Sequence, residues 1–285
     1  DAQESRGLGD VYKRQGQVMA NIDEMGVRRF GRWNRTGMFT LAERECRRFM
    51  AIWSQTVMGP LINAGLLLAV FAIAIGPARG QIMGVDYVMF IAPGLLMMTV
   101  IQNSFANTSS SILAAKVQGN IVDTLMPPLS PLELLFGYLA GGLARGALVG
   151  LVIGAVMIVV LGTGLAHPLW FLTFLLLGGL MMGALGILGG IVANKFDQMS
   201  AITNFIITPL SFLSGTFYSI DDLPPALTTA AHFDPFFYLI DGARYGTLGV
   251  SDSSPWLGLA VCAGVTAALC LLALRWFQKG YRLKS

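Results

Sequence analysis

Four groups of residues in this chain have types and spacings that chemistry at a membrane would use. The first is a polar run between apolar stretches, AAKVQGNIVDTLMPPLSPLE, where Lys116, Gln118, Asn120 and Asp123 surround Gly119 and the run stops at Pro127-Pro128. A short helix broken at glycine and ended by proline would present these side chains to water as a docking element; an ordinary polar loop is the alternative. The second group is a pair of amide and hydroxyl stripes, Gln102, Asn103, Ser104, Asn107 and Thr108 to Ser111 in one apolar run, and Thr203, Asn204, Thr208, Ser211 and Ser214 in another. Such groups seek either a neighbouring helix or a water-accessible path. The third is a glycine ladder, Gly142, Gly146, Gly150 and Gly154, with Gly137 and Gly141 offset beside it and Arg145 next to it. Four-residue spacing lines the glycines on one helix face where another backbone can approach, within the subunit or between subunits. Arg145 must reach the membrane boundary or meet polar partners, because a guanidinium at the bilayer centre costs at least ~2.5 kcal/mol.

The fourth group is the segment DDLPPALTTAAHFDPFFYLIDGARYG after the apolar run MSAITNFIITPLSFLSGTFYSI. It is too polar to span a bilayer and, with Phe233, Phe236, Phe237, Tyr238 and Leu239, too apolar to float in water, so it is expected to lie at a membrane surface or dip back into it. Asp241-Gly242-Ala243-Arg244 matches part of the acidic metal-binding motif of phosphatidyl-alcohol transferases, but Asp252 alone does not supply the further aspartates that motif requires. The isolated His167 and His232, and Cys46, Cys262 and Cys270 without CxxC spacing, give no metal, disulfide or catalytic constellation. No catalytic, cofactor-binding or metal residue is expected.

The elements that must position these groups follow from composition. Of 285 residues, 54% are hydrophobic and 12% charged, against roughly 25% charged in soluble domains, and mean hydropathy is +0.64. The fold class is therefore an all-α integral membrane protein. Six transmembrane helices are expected, at about Val57–Ile75, Tyr87–Asn107, Leu132–Leu161, Leu169–Val192, Met199–Tyr218 and Trp256–Phe277, with an N-terminal interfacial helix and a re-entrant or interfacial extracellular segment before the last helix. The interfacial helix is read from TLAERECRRFMAIW, with Thr40 as N-cap, Glu43 three residues on, and Leu41, Phe49 and Trp53 on one face; a solvated basic arm is the alternative. The run from Asp1 to Gln15 resembles translated sequencing-adapter sequence, and the native chain is expected to begin near Met19.

Lys and Arg set the expected orientation. Arg28, Arg29, Arg32, Arg35, Arg44, Arg47 and Arg48 precede the first span, Lys116 and Lys195 lie in the second-to-third and fourth-to-fifth connections, and Arg275, Lys279, Arg282 and Lys284 close the chain. The other side has Arg79 and Arg244. Both termini are thus expected in the cytoplasm, with the acidic Asp221, Asp222, Asp234, Asp241 and Asp252 outside.

The break at Ser214-Gly215-Thr216-Phe217, the following Leu223-Pro224-Pro225, the Asp234-Pro235 step and the aliphatic-Asp-Gly-Ala-Arg turn resemble the permease subunits of ABC-2 type exporters. The resemblance covers nearly all the chain after Met38. It implies residues 56–277 as the ABC-2 type transmembrane domain, with 1–18 expected from the adapter-like run to be non-native or disordered, and 19–55 (a basic segment with the interfacial helix) and 278–285 (a tail) expected from the Lys and Arg placement to be cytoplasmic. It further implies a permease dimer in the cell inner membrane, two copies of an ABC ATPase partner, ATP-Mg bound by that partner and not by this chain, and no nucleic-acid partner. The Lys116 to Asp123 loop would carry the coupling helix, and Gln102, Asn103, Asn107, Thr203, Asn204, Thr208 and Ser211 would face the pathway. The cargo implied is an amphipathic drug, a lipid-linked saccharide or a polysaccharide. From the residues alone, the absence of a Gly-Lys dipeptide rules out a P-loop here, and the lack of an evident deep carboxylate weighs against ion coupling. An ATP-independent secondary transporter or channel is the alternative.

Overall fold

The computed structural model describes residues 33–282; the expectations for the opening segment, for Arg28, Arg29 and Arg32, and for Lys284 lie outside the described residues. In chain order, α1 is Arg35–Met50, a π turn Ser54–Met58 leads into α2 Gly59–Ala74, and α3 is Gly76–Arg79. A small hairpin follows, β1 Gln81–Ile82 and β2 Val85–Asp86, before α4 Tyr87–Val117, α5 Ile121–Leu125, α6 Pro131–Leu161 and α7 Pro168–Val192. Then come α8 Phe196–Ile202, a π turn Thr203–Ile207, α9 Thr208–Leu213, a 3-10 turn Ile220–Asp222, α10 Pro225–His232, α11 Pro235–Leu248 and α12 Pro255–Lys279.

Ser54–Ala74, α4, α6, α7 and α12 are each long and apolar enough to cross a membrane. The chain is an all-α, multi-pass membrane protein. Proline sets several boundaries: Pro131, Pro168, Pro225, Pro235 and Pro255 each stand in the first turn of their helix, where a missing N–H costs nothing.

Four local expectations need correction. The second span does not end at Asn107: α4 continues to Val117, because Thr108, Ser109 and Ser110 bond back to helix carbonyls, and Thr108 Oγ1 also donates to Gly183 O at 2.8 Å. Thr40 is not an N-cap; the cap of α1 stands six residues earlier, at Asn34, whose Oδ1 accepts from Gly37 N at 2.9 Å. Trp53 does not share the buried face of Leu41 and Phe49, since the helix breaks before it and the ring is exposed. Asp241 to Arg244 form no turn but lie inside α11, where Gly242 lets the helix press against Phe174 of α7. The expected fifth span takes the form of three short pieces of 7, 5 and 6 residues.

α4 is the central post. Its residues from Phe90 to Ile101 are all buried, and it packs on α6, α7 and α11. Leu66, Val70 and Ile73 of α2 and Val159 and Val160 of α6 are exposed, as a face solvated by lipid must be.

Candidate functional site

The site is built on polar groups inside the bundle at two ends. At one end, α1 lies along α6. Leu41 and Glu45 occupy the space left by Gly137 and Gly141: a methyl group on Gly137 would come within 2.7 Å of Leu41 Cγ, and one on Gly141 would overlap Glu45. Glu45 is wholly buried. Its carboxylate is held by Arg44 at 3.0 Å and Arg48 at 3.2 Å, and it accepts from Ser111 Oγ at 2.8 Å. Arg48 then donates to Asn107 O at 2.6 Å and Asn107 Oδ1 at 3.0 Å. A buried charge with three donors is stable where a lone one is not.

The same helix anchors the polar loop. Arg44 Nη1 donates to Thr124 Oγ1 of α5 at 3.0 Å, and Asn34 N donates to Glu133 Oε1 at 2.5 Å. Glu133 also closes a capping box with Ser130 at the start of α6. Gly119 adopts φ +74, which lets the chain turn from α4 into α5, and Gln118, Gly119, Asn120 and Asp123 are exposed. Lys116 departs from the expectation that it faces the cytoplasm freely. Its Nζ donates to Ile191 O and Ala193 O, both at 2.7 Å, satisfying carbonyls at the C-terminus of α7, where a cation is also favoured by the helix dipole. A cavity of 620 Å³ opens between Arg44, Glu45 and Arg48 of α1, Ser111 of α4, and Asp123 and Thr124 of α5.

Deeper in, Asn103 is buried and Gln102 half-buried. Asn103 Oδ1 accepts from Arg145 Nε at 3.3 Å. The ladder glycines face neighbours of the same subunit: a methyl on Gly142 would meet Thr108 at 2.8 Å, one on Gly146 would overlap Ser104, one on Gly150 would meet Val100 at 2.7 Å, and one on Gly154 would touch Leu96 at 3.4 Å. The second stripe is not brought into hydrogen bonds with the first. Thr203 and Ser211 donate to Met199 O and Ile207 O of their own run; Asn204 is exposed, and Thr208 is half-buried.

At the other end sits an ion cluster that sequence reasoning missed. Arg244 is fully buried, 3.3 Å from Asp252 and 3.6 Å from Asp241. It donates to Gly215 O at 2.6 Å and lies 3.9 Å from the centre of the Phe90 ring. It thereby ties α11, the loop before α12, the break after α9 and the start of α4 together. Asp241 also accepts from the backbone N–H groups of Asp252 and Ser253, and Ser219 donates to Asp252. Asp234 caps α11 by accepting from Phe236 N at 2.9 Å and takes a second bond from Ser214 Oγ at 2.7 Å. Burial pushes the Asp241 and Asp234 carboxyls up, with Arg244 opposing at the first and Ser214 at the second.

A readable signal existed for Glu45: it stands at the midpoint of Leu41, Glu45 and Phe49, an acidic residue within the apolar stripe of α1. Glu133 and Ser130 carry a capping-box spacing. Asp241 and Arg244 stand three residues apart on α11, a spacing the sequence shows, whereas Asp252 joins them only through the turn before α12.

The residues in this frame match known proteins over most of the chain. The family model described as ABC-2 type transporter matches residues 36–248. The chain is 36% identical over 242 residues to the inner membrane transport permease YadH of Escherichia coli strain K12, covering 85% of this chain and 94% of that protein. It is 29% identical over 211 residues to nodulation protein J of Rhizobium leguminosarum bv. trifolii, covering 71% and 79% respectively. The matched region takes in α1 through α11, and with them the Glu45 cluster, the α4–α5 loop and Asp241 and Arg244 of the second cluster, whose Asp252 stands just beyond it: this chain belongs to the ABC-2 type transporter family.

Proposed function

We propose that this chain is the permease subunit of an ATP-driven exporter that moves an amphipathic drug, a lipid-linked saccharide or a polysaccharide out of the cytoplasm across the inner membrane. It has no enzymatic step of its own; a separate ABC ATPase, in two copies beneath a permease dimer, binds ATP-Mg and supplies the work. The observation that carries this reading is the α1–α5 junction. A five-residue helix is held against α1 by Arg44 and Thr124 while its Asp123 and the Gln118 and Asn120 of the turn before it remain exposed, which suits an element that receives a push and passes it to the bundle. In this reading Phe196–Leu213 forms the fifth of six spans, both termini are cytoplasmic, α1 lies at the inner boundary, and α10 and α11 re-enter from outside. The buried carboxylates Glu45, Asp241 and Asp252 are each paired with arginine, which disfavours the alternative of an ion-coupled secondary carrier.

The test is reconstitution. The purified chain alone is expected neither to hydrolyse ATP nor to move substrate, and to regain transport with its ATPase. Replacing Gly119 by Trp and Asp123 by Lys together is expected to lower substrate-stimulated ATP hydrolysis at least tenfold while the permease still inserts. Transport by the chain alone on a proton or sodium gradient would sink the exporter reading.

A further inference from the structure

A seam runs between α2, α4 and α6 whose two halves differ in chemistry. Its upper half is a cavity of 340 Å³ walled by apolar side chains alone, among them Leu68, Ala92, Leu95, Ile153 and Met157. Gly65 also lines it, and a methyl group built there meets nothing within 4 Å. The lower half is cationic. On α6, Arg145 precedes Ile153 by eight residues, about 12 Å along the helix axis and about 80° around it, and on α4 Asn103 follows Leu95 by the same interval, so the Arg145–Asn103 pair stands below the cavity. Arg145 has no carboxylate within ion-pair distance among the described residues; its one hydrogen-bond partner there is the neutral Asn103. Arg48, on Asn107 one turn further down α4, is already engaged by the Glu45 carboxylate, which it shares with Arg44.

Depth fits the charge. Although α4 runs on to Val117, the charged Arg48–Glu45 pair sits on it at Asn107 and marks the boundary there; from Tyr87 to Asn107 the helix rises about 30 Å, the thickness of a hydrocarbon core. Arg145 and Asn103 therefore lie one turn inside the boundary, within reach of a lipid phosphate by a snorkelling side chain. We infer that this seam binds an anionic phospholipid of the surrounding bilayer, with its phosphate at Arg145 and one acyl chain in the apolar cavity. A peptide is disfavoured because the apolar walls would leave its backbone groups unbonded. A helix from a second copy is too wide, at 10–12 Å with side chains, for a cavity of this volume. The planar guanidinium supplies the fork that a phosphate takes, and the chain in the cavity replaces contacts the loosely packed α2 leaves open. The inference does not rest on the transport reading and needs no ATPase to test.

The experiment is native mass spectrometry of the full chain in mild detergent, offered equal amounts of phosphatidylglycerol and phosphatidylcholine. Retention of phosphatidylglycerol several-fold above phosphatidylcholine is expected. Arg145→Gln should abolish that preference, Arg145→Lys should keep only the part that charge without the fork supplies, and Gly65→Leu should lower retention of both lipids by filling the cavity. Size exclusion checks that each variant is monodisperse; should Arg145→Gln aggregate, the lipid preference of the parent and the Gly65→Leu loss decide the matter. Equal retention of the two lipids, a preference unchanged in Arg145→Gln, retention unchanged in Gly65→Leu, or displacement of the lipid by glycerol phosphate at equal concentration would each overturn the inference, the last by reducing it to a phosphate site without a chain.

Discussion

Arg244 illustrates how a single side chain holds distant parts of the sequence together. Its guanidinium is fully buried between Asp241 and Asp252 and reaches the carbonyl of Gly215, a residue at φ +76 that turns the chain after α9. Removing one member of a buried ion cluster leaves the others charged and unpaired, a loss of about 3–5 kcal/mol. Arg244→Met is therefore expected to lower the thermal midpoint of the detergent-solubilised protein by many degrees, and adding Asp241→Asn and Asp252→Asn is expected to recover part of it. A midpoint equal to the parent in the single variant would show that the cluster contributes nothing to stability. Polar side chains near it act in the same sense: Asp234 both caps α11 and receives Ser214, so the aspartate before Pro235 joins two segments rather than merely starting a helix.

At the scale of elements, α6 is the surface on which others are seated. Gly137 and Gly141 receive α1, and Gly142, Gly146 and Gly150 receive α4 and α7. Overpacking such a seat costs about 1–3 kcal/mol. Gly137→Leu is expected to unseat α1 and expose it to limited proteolysis, while Gly264→Leu on α12, where an added methyl group meets nothing within 4 Å, should leave the cleavage pattern unchanged; equal patterns in the two variants would refute the seat. Much of this was legible in the sequence. The ends of α6, α7 and α12 fall within two residues of the expected spans because proline starts them and apolar length ends them. The extension of α4 past Asn107 was not legible, since hydroxyl-rich residues look like a loop until Gly183 and the helix carbonyls are there to accept from them. The amide stripe of α4 was visible as polar, but its use by Arg48 and Arg145 depends on where α1 and α6 come to lie, which is a tertiary fact. In the second stripe Thr203 and Ser211 bond back to their own run, while Ser214 reaches Asp234 at the start of α11.

For the whole molecule, the distribution of charge gives a directional expectation. Asn120 lies exposed at the end that carries α1 and α5, whereas Asp222 lies at the opposite end, 3.5 Å from Arg79 and half-exposed. With Cys46, Cys262 and Cys270 first replaced, a cysteine at Asp222 is expected to react with an impermeant thiol reagent in intact cells and one at Asn120 only after the membrane is opened. The reverse pattern would invert the orientation. The offset between the two glycine sets of α6 has a mechanical meaning. Gly141 and Gly142 are neighbours in sequence and so point about 100° apart around the rod, one gripping α1 and the other α4. Rolling the rod by 10° would carry its rim by about 1 Å at the 5–6 Å radius of a helix with side chains, and seats this close have no such slack. The three helices are therefore meshed like gear teeth: a roll of α6 that freed α1 would drive the Gly142 seat into Thr108 of the central post.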